Sequence, residues 1–179
     1  MLIVQKFGGS SLAGTERLRR AAGIAAEARR RGHSVLVVVS AMGDTTDELL
    51  ELAHEISAQP SPRELDALLG TGEQQSAALT AIMLESMGLA ARSFAGWQAG
   101  IITDGSHGDA RIELIAALEL AEAMERGEIA VVSGFQGVDA RGEITTLGRG
   151  GSDTTAVALA AALDAERCEI YTDVDGVYT

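Results

Sequence analysis

A mainly parallel β-sheet with helices on both faces is the fold class this sequence predicts, and two observations predict it. Strand-like and helix-like segments alternate along the chain, the pattern of α/β folds. The run Val35-Leu36-Val37-Val38-Val39 is also continuously apolar and mostly β-branched, as expected of a strand covered on both sides. The 179 residues give room for one domain with a sizeable core, and 46% hydrophobic against 22% charged residues is an ordinary globular balance. No internal repeat, low-complexity tract or clear linker divides the chain.

The elements follow in order. Residues 2–7 form a short strand ending in Gly8-Gly9-Ser10-Ser11. A helix follows, with Leu18, Ala21, Ala22, Ala25 and Ala28 on one face. Glu16 stands near its start, Arg29, Arg30 and Arg31 in its last turn, and Gly32 just beyond as a stop. After the strand at 35–39, a loop at 41–44 leads to a helix beginning near Thr45. Pro60 and Pro62 break that helix. A longer helix is expected over 63–87, interrupted near Gly70 and Gly72. Short strands are expected at 91–94 and 100–103, a helix over 110–126, and a strand at 129–133. A glycine-punctuated segment, 134–151, contains Phe135 and a turn at 139–142. An apolar helix at 154–163 then leads to a strand at 169–172 and a turn at Asp175-Gly176.

Composition excludes several classes of function. A net charge of −12 disfavours nucleic-acid binding, which rests on phosphate neutralisation by Lys and Arg. The longest apolar run, 156–163, is far shorter than the roughly 20 residues of a membrane span. The first residues show no basic leader and no secretory signal. The single cysteine, Cys168, is expected to be a buried small hydrophobe, and it suits a reducing, cytoplasmic compartment. His33, His54 and His107 have no metal-ligand spacing, so no metal ligands are assigned. Neither G-x-x-x-x-G-K-[ST], G-x-G-x-x-G nor G-x-S-x-G occurs.

Four segments could carry chemistry. In Lys6-Phe7-Gly8-Gly9-Ser10-Ser11, glycines let backbone amides turn toward an anion, and Lys6 can reach a phosphate as a point charge. Of 14 basic residues only Lys6 is a lysine, which weighs against an incidental turn. In Ser40-Ala41-Met42-Gly43-Asp44-Thr45-Thr46-Asp47, at the end of a buried strand, Thr45 and Glu48 fit a capping box. Ser40 and Thr46 remain for a ligand. In Gly148-Arg149-Gly150-Gly151-Ser152-Asp153, Ser152 or Asp153 would cap the apolar helix, leaving Arg149 free to grip a carboxylate. The fourth, around Thr172, Asp173 and Tyr178, follows a strand and is a common turn or a nucleotide wall. Glu73 by itself reads as a first-turn helix acid, and Arg29 to Arg31 as a solvated helix end.

These segments, together with Gly72-Glu73, Gly96-Trp97-Gln98-Ala99-Gly100, Gly134-Phe135-Gln136-Gly137 and Thr145-Thr146-Leu147, resemble the aspartate kinases of the amino acid kinase family, in order along nearly the whole chain. The resemblance implies an amino acid kinase-like α/β domain over residues 1–179, incomplete at its C-terminus and without the regulatory ACT domains that bind feedback inhibitors. It implies phosphoryl transfer from MgATP to the side-chain carboxylate of L-aspartate, the entry to lysine, threonine and methionine synthesis.

By resemblance, Lys6 and Asp153 are catalytic; Ser40, Thr46, Glu73, Arg149 and Ser152 bind the amino acid; and Gly8, Gly9, Ser10, Thr172, Asp173 and Tyr178, with Lys6, contact the nucleotide. Glu73 would hold the ammonium and Arg149 the α-carboxylate. The implied cofactors are ATP and Mg²⁺, with neither nucleic acid nor membrane as partner, and the intact parent is expected to be a homo-oligomer. Two alternatives stay open: another amino acid kinase, acting on acetylglutamate, glutamate or UMP, and an inactive fragment serving as a binding or assembly module.

Overall fold

The computed structural model describes residues 1–172. Its frame is a five-stranded sheet built from β1 (Leu2–Phe7), β2 (Ser34–Val39), β3 (Ala91–Phe94), β6 (Ile129–Ser133) and β9 (Arg167–Tyr171). The order is β3-β6-β2-β1-β9 and every pairing is parallel. Period-two alternation sends side chains to two separate cores. Phe7, Val35, Val37, Val39, Ile129 and Val131 pack under α2 (Thr15–Arg30) and α4 (Pro62–Ser86). Val4, Leu36, Val38, Phe94, Ala130 and Val132 pack under α5 (Leu118–Glu125) and α6 (Gly151–Ala162). Helices on both faces explain why β2 reads as an unbroken apolar run.

A second sheet of four strands, β5-β4-β7-β8, joins β4 (Ile101–Thr103), β5 (Ile112–Ile115), β7 (Gln136–Val138) and β8 (Ile144–Thr146). Here sequence expectation and structure part. The helix expected over 110–126 starts only at Leu118, because residues 112–115 pair antiparallel with β4. Backbone pairing with a distant partner has overridden helix-favouring Ala, Glu and Leu. The glycine-punctuated segment contains the β7–β8 hairpin, closed where the Asp139 carboxylate accepts from the amides of Arg141 and Glu143.

Other expectations are corrected. Gly70 and Gly72 do not interrupt α4, which runs unbroken for 25 residues. They are contact points instead: a Cβ on Gly72 would lie 2.9 Å from Ala41 Cβ, and one on Gly70 3.3 Å from Gln136 Nε2. The capping box at Thr45 is absent. Asp44 caps α3 (Thr45–Ile56) without a side-chain bond, and Thr45 Oγ1 donates back to the Met42 carbonyl. Gly150, in a left-handed conformation, caps α6 in place of Ser152 or Asp153. Residues 9–12 form a single helical turn, α1 (Gly9–Leu12). Cys168 is exposed on β9, an edge strand among the described residues. Arg29 and Arg30 are tied to the carbonyls of Gly127 and Met87, so that helix end is more than solvated charge. No described helix is long and apolar enough to cross a membrane.

Candidate active site

The site lies at the carboxyl ends of β1, β2 and β6, where the turns leaving parallel strands converge. A cavity of about 310 Å³ is lined there by Lys6, Gly9, Ser40, Thr46, Glu73, Arg149, Ser152 and Asp153, with Phe135 and the glycines of the 148–151 turn. Three segments far apart in sequence, each singled out by a different local pattern, thus share one hollow with Glu73, which only the resemblance had picked out.

Lys6 is the last-but-one residue of β1 and faces the α6 side of the sheet. It is buried, and its Nζ lies 2.7 Å from Asp153 Oδ1 in the first turn of α6. The Asp153 side chain is half-exposed, but Oδ1 itself is buried against Lys6 without an aligned hydrogen bond, so the pair is held by charge. The amino end of α6 faces the same space and adds partial positive charge. The charge pattern suits an anion that arrives beside Lys6 with its own counter-charge.

Glycine is demanded where loops touch backbone to backbone. A Cβ on Gly9 would sit 2.6 Å from the Ala41 carbonyl oxygen, and the Gly43 amide donates to the Gly9 carbonyl at 3.0 Å. The turns after β1 and β2 are therefore locked together, which brings Lys6 and Ser40 to one opening. On the opposite wall Phe135 adopts φ 70°, a left-handed conformation that costs a non-glycine residue about 1–2 kcal/mol. Its amide donates to Thr155 Oγ1 of α6, and its carbonyl accepts from the Leu147 amide. The strained residue so clamps the start of α6 to the turn that carries Arg149.

Glu73 is not a first-turn acid. It lies mid-way along α4, almost wholly buried, with Oε1 accepting from the Ala41 amide at 3.0 Å and Oε2 without a partner. Burial pushes its carboxyl up to about 7, partly offset by the Ala41 hydrogen bond. A buried carboxylate with an open oxygen beside a cavity is a receptor for a cation. Arg149 is the converse, an exposed guanidinium with no ion pair among the described residues. Ser40 and Thr46 are half-buried, and Ser152 is buried.

Of the residues expected at the nucleotide, Lys6 and Gly9 line this first cavity, and others lie around a different wall. Gly8 donates its amide to the Tyr171 carbonyl at 3.4 Å, and a Cβ there would sit 3.5 Å from Lys6 Nζ. Ser10 and Thr172 line a second cavity of about 410 Å³, with Phe7, Arg17 and Tyr171. Asp173 and Tyr178 lie outside the described residues. Among the described residues no group of three or more His, Cys, Asp or Glu side chains is arranged to hold a metal ion by itself.

Sequence reasoning missed two features of the surroundings: Phe135, noted only as part of a loop, and Asp66, passed over in the middle of a helix. A buried acid at mid-helix leaves no local signal; only its spacing from Glu73, two turns on, places both on one face of α4.

The model of the amino acid kinase family matches residues 1–179. An aspartokinase of Mycolicibacterium smegmatis is 58% identical over 180 residues, covering 99% of this chain and 42% of that protein. Aspartokinase 2 of Bacillus subtilis (strain 168) is 57% identical over 178 residues, covering 99% of this chain and 44% of that protein. Escherichia coli aspartokinase III, solved with aspartate and ADP in its R-state, superimposes with a TM-score of 0.89 at 30% identity, covering all of this chain and 51% of that one. The chain spans less than half the length of these curated relatives.

Proposed function

Because this chain belongs to the amino acid kinase family, we propose that its residues form the catalytic domain of an aspartate kinase, which transfers the γ-phosphoryl group of ATP to the side-chain carboxylate of L-aspartate. The observation that carries this reading is the cavity where Lys6, Asp153, Glu73 and Arg149 meet at the ends of parallel strands. The names and identities of the curated relatives, and a relative solved with aspartate and ADP, support it.

The chemistry asks little of the protein beyond placement. An aspartate side chain is already ionised at pH 7, so no general base is needed. One carboxylate oxygen attacks the γ-phosphorus as the bond to the ADP oxygen breaks. The barrier falls through in-line positioning and cancellation of charge. In this reading Lys6 follows the transferring phosphoryl, with the amides of Gly8, Gly9 and Ser10 around it. Glu73 receives the substrate ammonium, and Arg149 the α-carboxylate, with hydroxyls from Ser40, Thr46 and Ser152. Thr172, with Asp173 and Tyr178, contacts the nucleotide.

Mg²⁺ bound with ATP supplies neutralisation of the phosphate charge. The carboxylate that would hold it or its water is Asp153, whose half-exposed side chain lines the cavity. Asp153 also holds Lys6 at the cavity through their 2.7 Å ion pair. We place the product at the entry to lysine, threonine and methionine synthesis and the enzyme in the cytoplasm. The intact protein is proposed as a homo-oligomer, a point for sedimentation velocity.

The test is aspartate-dependent phosphorylation, with the acyl phosphate trapped by hydroxylamine, for this chain and the intact enzyme. Lys6→Ala should lower kcat by roughly 10²–10³, the loss expected for one preorganised charge stabiliser. A change of only about twofold would remove Lys6 from this role. Hydroxamate formed equally well from glutamate or acetylglutamate would remove aspartate as the substrate.

A further inference from the structure

Asp66 is almost wholly buried, yet it is absent from the lining of the active cavity. It lies on α4 on the same face as Glu73, and its carboxylate gathers three donors from remote parts of the chain. Thr146 Oγ1 donates to Oδ1 at 2.6 Å, the Gly108 amide bridges both oxygens at 3.1 Å, and His107 Nδ1 lies 2.8 Å from Oδ2. With donors on both oxygens, the site calls for an acceptor-only group. An asparagine offers one acceptor oxygen only, so its NH₂ would force Thr146 or His107 to turn from donor to acceptor and would replace charge-assisted bonds with neutral ones.

What these bonds fix is the turn carrying Arg149. Thr146 is the last residue of β8, and its carbonyl accepts from the Ala110 amide at 2.9 Å. Two residues on, Gly148 sits at φ 74°, so close to the 106–110 loop that a Cβ would lie 2.8 Å from Asp109 Oδ1. The loop pinned by Asp66 through His107 and Gly108 is therefore the wall on which Gly148 rests. Arg149 has no side-chain partner among the described residues, so within the protein its direction is set by its backbone.

We infer that Asp66 is a positioning residue for substrate binding: through Thr146 and the 106–110 loop it holds the Gly148–Arg149 turn in register with Glu73 on the same helix. The inference rests on the reading of Arg149 as the binder of the amino acid's α-carboxylate. It assigns to His107, which has no place in any metal pattern, a structural part in the same network.

The experiment is a set of saturation curves for aspartate and for ATP on the intact enzyme carrying Asp66→Asn, Arg149→Ala, or both. Asp66→Asn should raise the KM for aspartate about tenfold, with kcat and the KM for ATP within about twofold. Added to Arg149→Ala, it should raise the aspartate KM no further, since both act on one contact. Thr146→Val should reproduce the effect of Asp66→Asn, and Thr146→Ser, which keeps the hydroxyl, should restore the parent values. The Thr146 pair also carries the test if Asp66→Asn does not fold. An unchanged aspartate KM in folded Asp66→Asn or Thr146→Val overturns the inference. So does a parallel rise in both KM values, or an effect that adds fully to Arg149→Ala. If Arg149→Ala itself leaves the aspartate KM unchanged, the carboxylate assignment falls and takes this inference with it. A large Arg149 effect without an Asp66 or Thr146 effect overturns the inference alone.

Discussion

The two sheets divide the work of the molecule. In the five-stranded sheet, β2 is buried from Val35 to Val39 and β6 along its whole length, and helices cover both faces. The four-stranded sheet is made of three- and four-residue strands, carries Leu114 at 56% exposure, and uses a hydroxyl pair, Thr103 Oγ1 to Thr145 Oγ1 at 2.7 Å, where the other sheet would use valines. Apolar burial, the dominant favourable term in folding, is concentrated in the first sheet. The second carries the chain from Phe135 through β7 and β8 to the Arg149 turn, which in the proposed function aims the substrate. On the proposed function, stability and substrate placement should be open to separate perturbation.

The largest effect that would test this division is in the parallel sheet. Leu36 is fully buried between β1 and β6 beneath the α5–α6 layer, so Leu36→Ala should cost about 2–5 kcal/mol of unfolding free energy. Urea denaturation with an unchanged m-value would check it; a loss below about 1 kcal/mol would contradict a core centred on this sheet.

Next comes Glu73, where the site strains the fold. Its folded pKa of about 7 lies above the ordinary 4.5, so between those values the native state holds a proton that the unfolded chain releases. The group thus costs nothing below about pH 4.5, and an increasing amount as pH rises to about 7, reaching roughly 3 kcal/mol above that. Glu73→Gln should accordingly stabilise the protein at pH 8 and change little at pH 4, read by thermal or urea unfolding at both values. In the proposed role, a substrate ammonium favours the ionised form. The KM for aspartate should then fall as pH rises toward about 7, and Glu73→Gln should raise it and flatten that dependence.

The smallest effect belongs to the second sheet. Thr145→Val removes one buried hydroxyl partner and should cost about 1–3 kcal/mol, with Thr103 left unsatisfied. The double change Thr103→Val with Thr145→Val should recover part of that loss, a coupling that only a paired contact produces.

Local patterns were enough to reveal the parallel sheet, its helices and the three glycine-rich turns, because those features are written in short windows. An apolar β-branched run marks a strand covered twice. A lone lysine before two glycines marks a turn suited to anions. Family resemblance supplied roles that no window could, above all for Glu73, which by position alone is an ordinary helix acid. Tertiary structure decided the rest. Residues 112–115 became a strand because β4 offered backbone partners, and Gly70 and Gly72 stayed inside α4 because Gln136 and Ala41 press against them. The expected cap at Thr45 was lost to a bond with Met42, and the cap expected at Ser152 or Asp153 to Gly150.

Glu73 and Asp66 owe their chemistry to burial, and burial depends on elements that arrive from 30 to 80 residues away. Propensity and period are properties of neighbours along the chain, so the sequence alone determined the sheet and its turns. Desolvation and hydrogen-bond satisfaction are properties of neighbours in space, so only the folded chain determined what the site's acids can do.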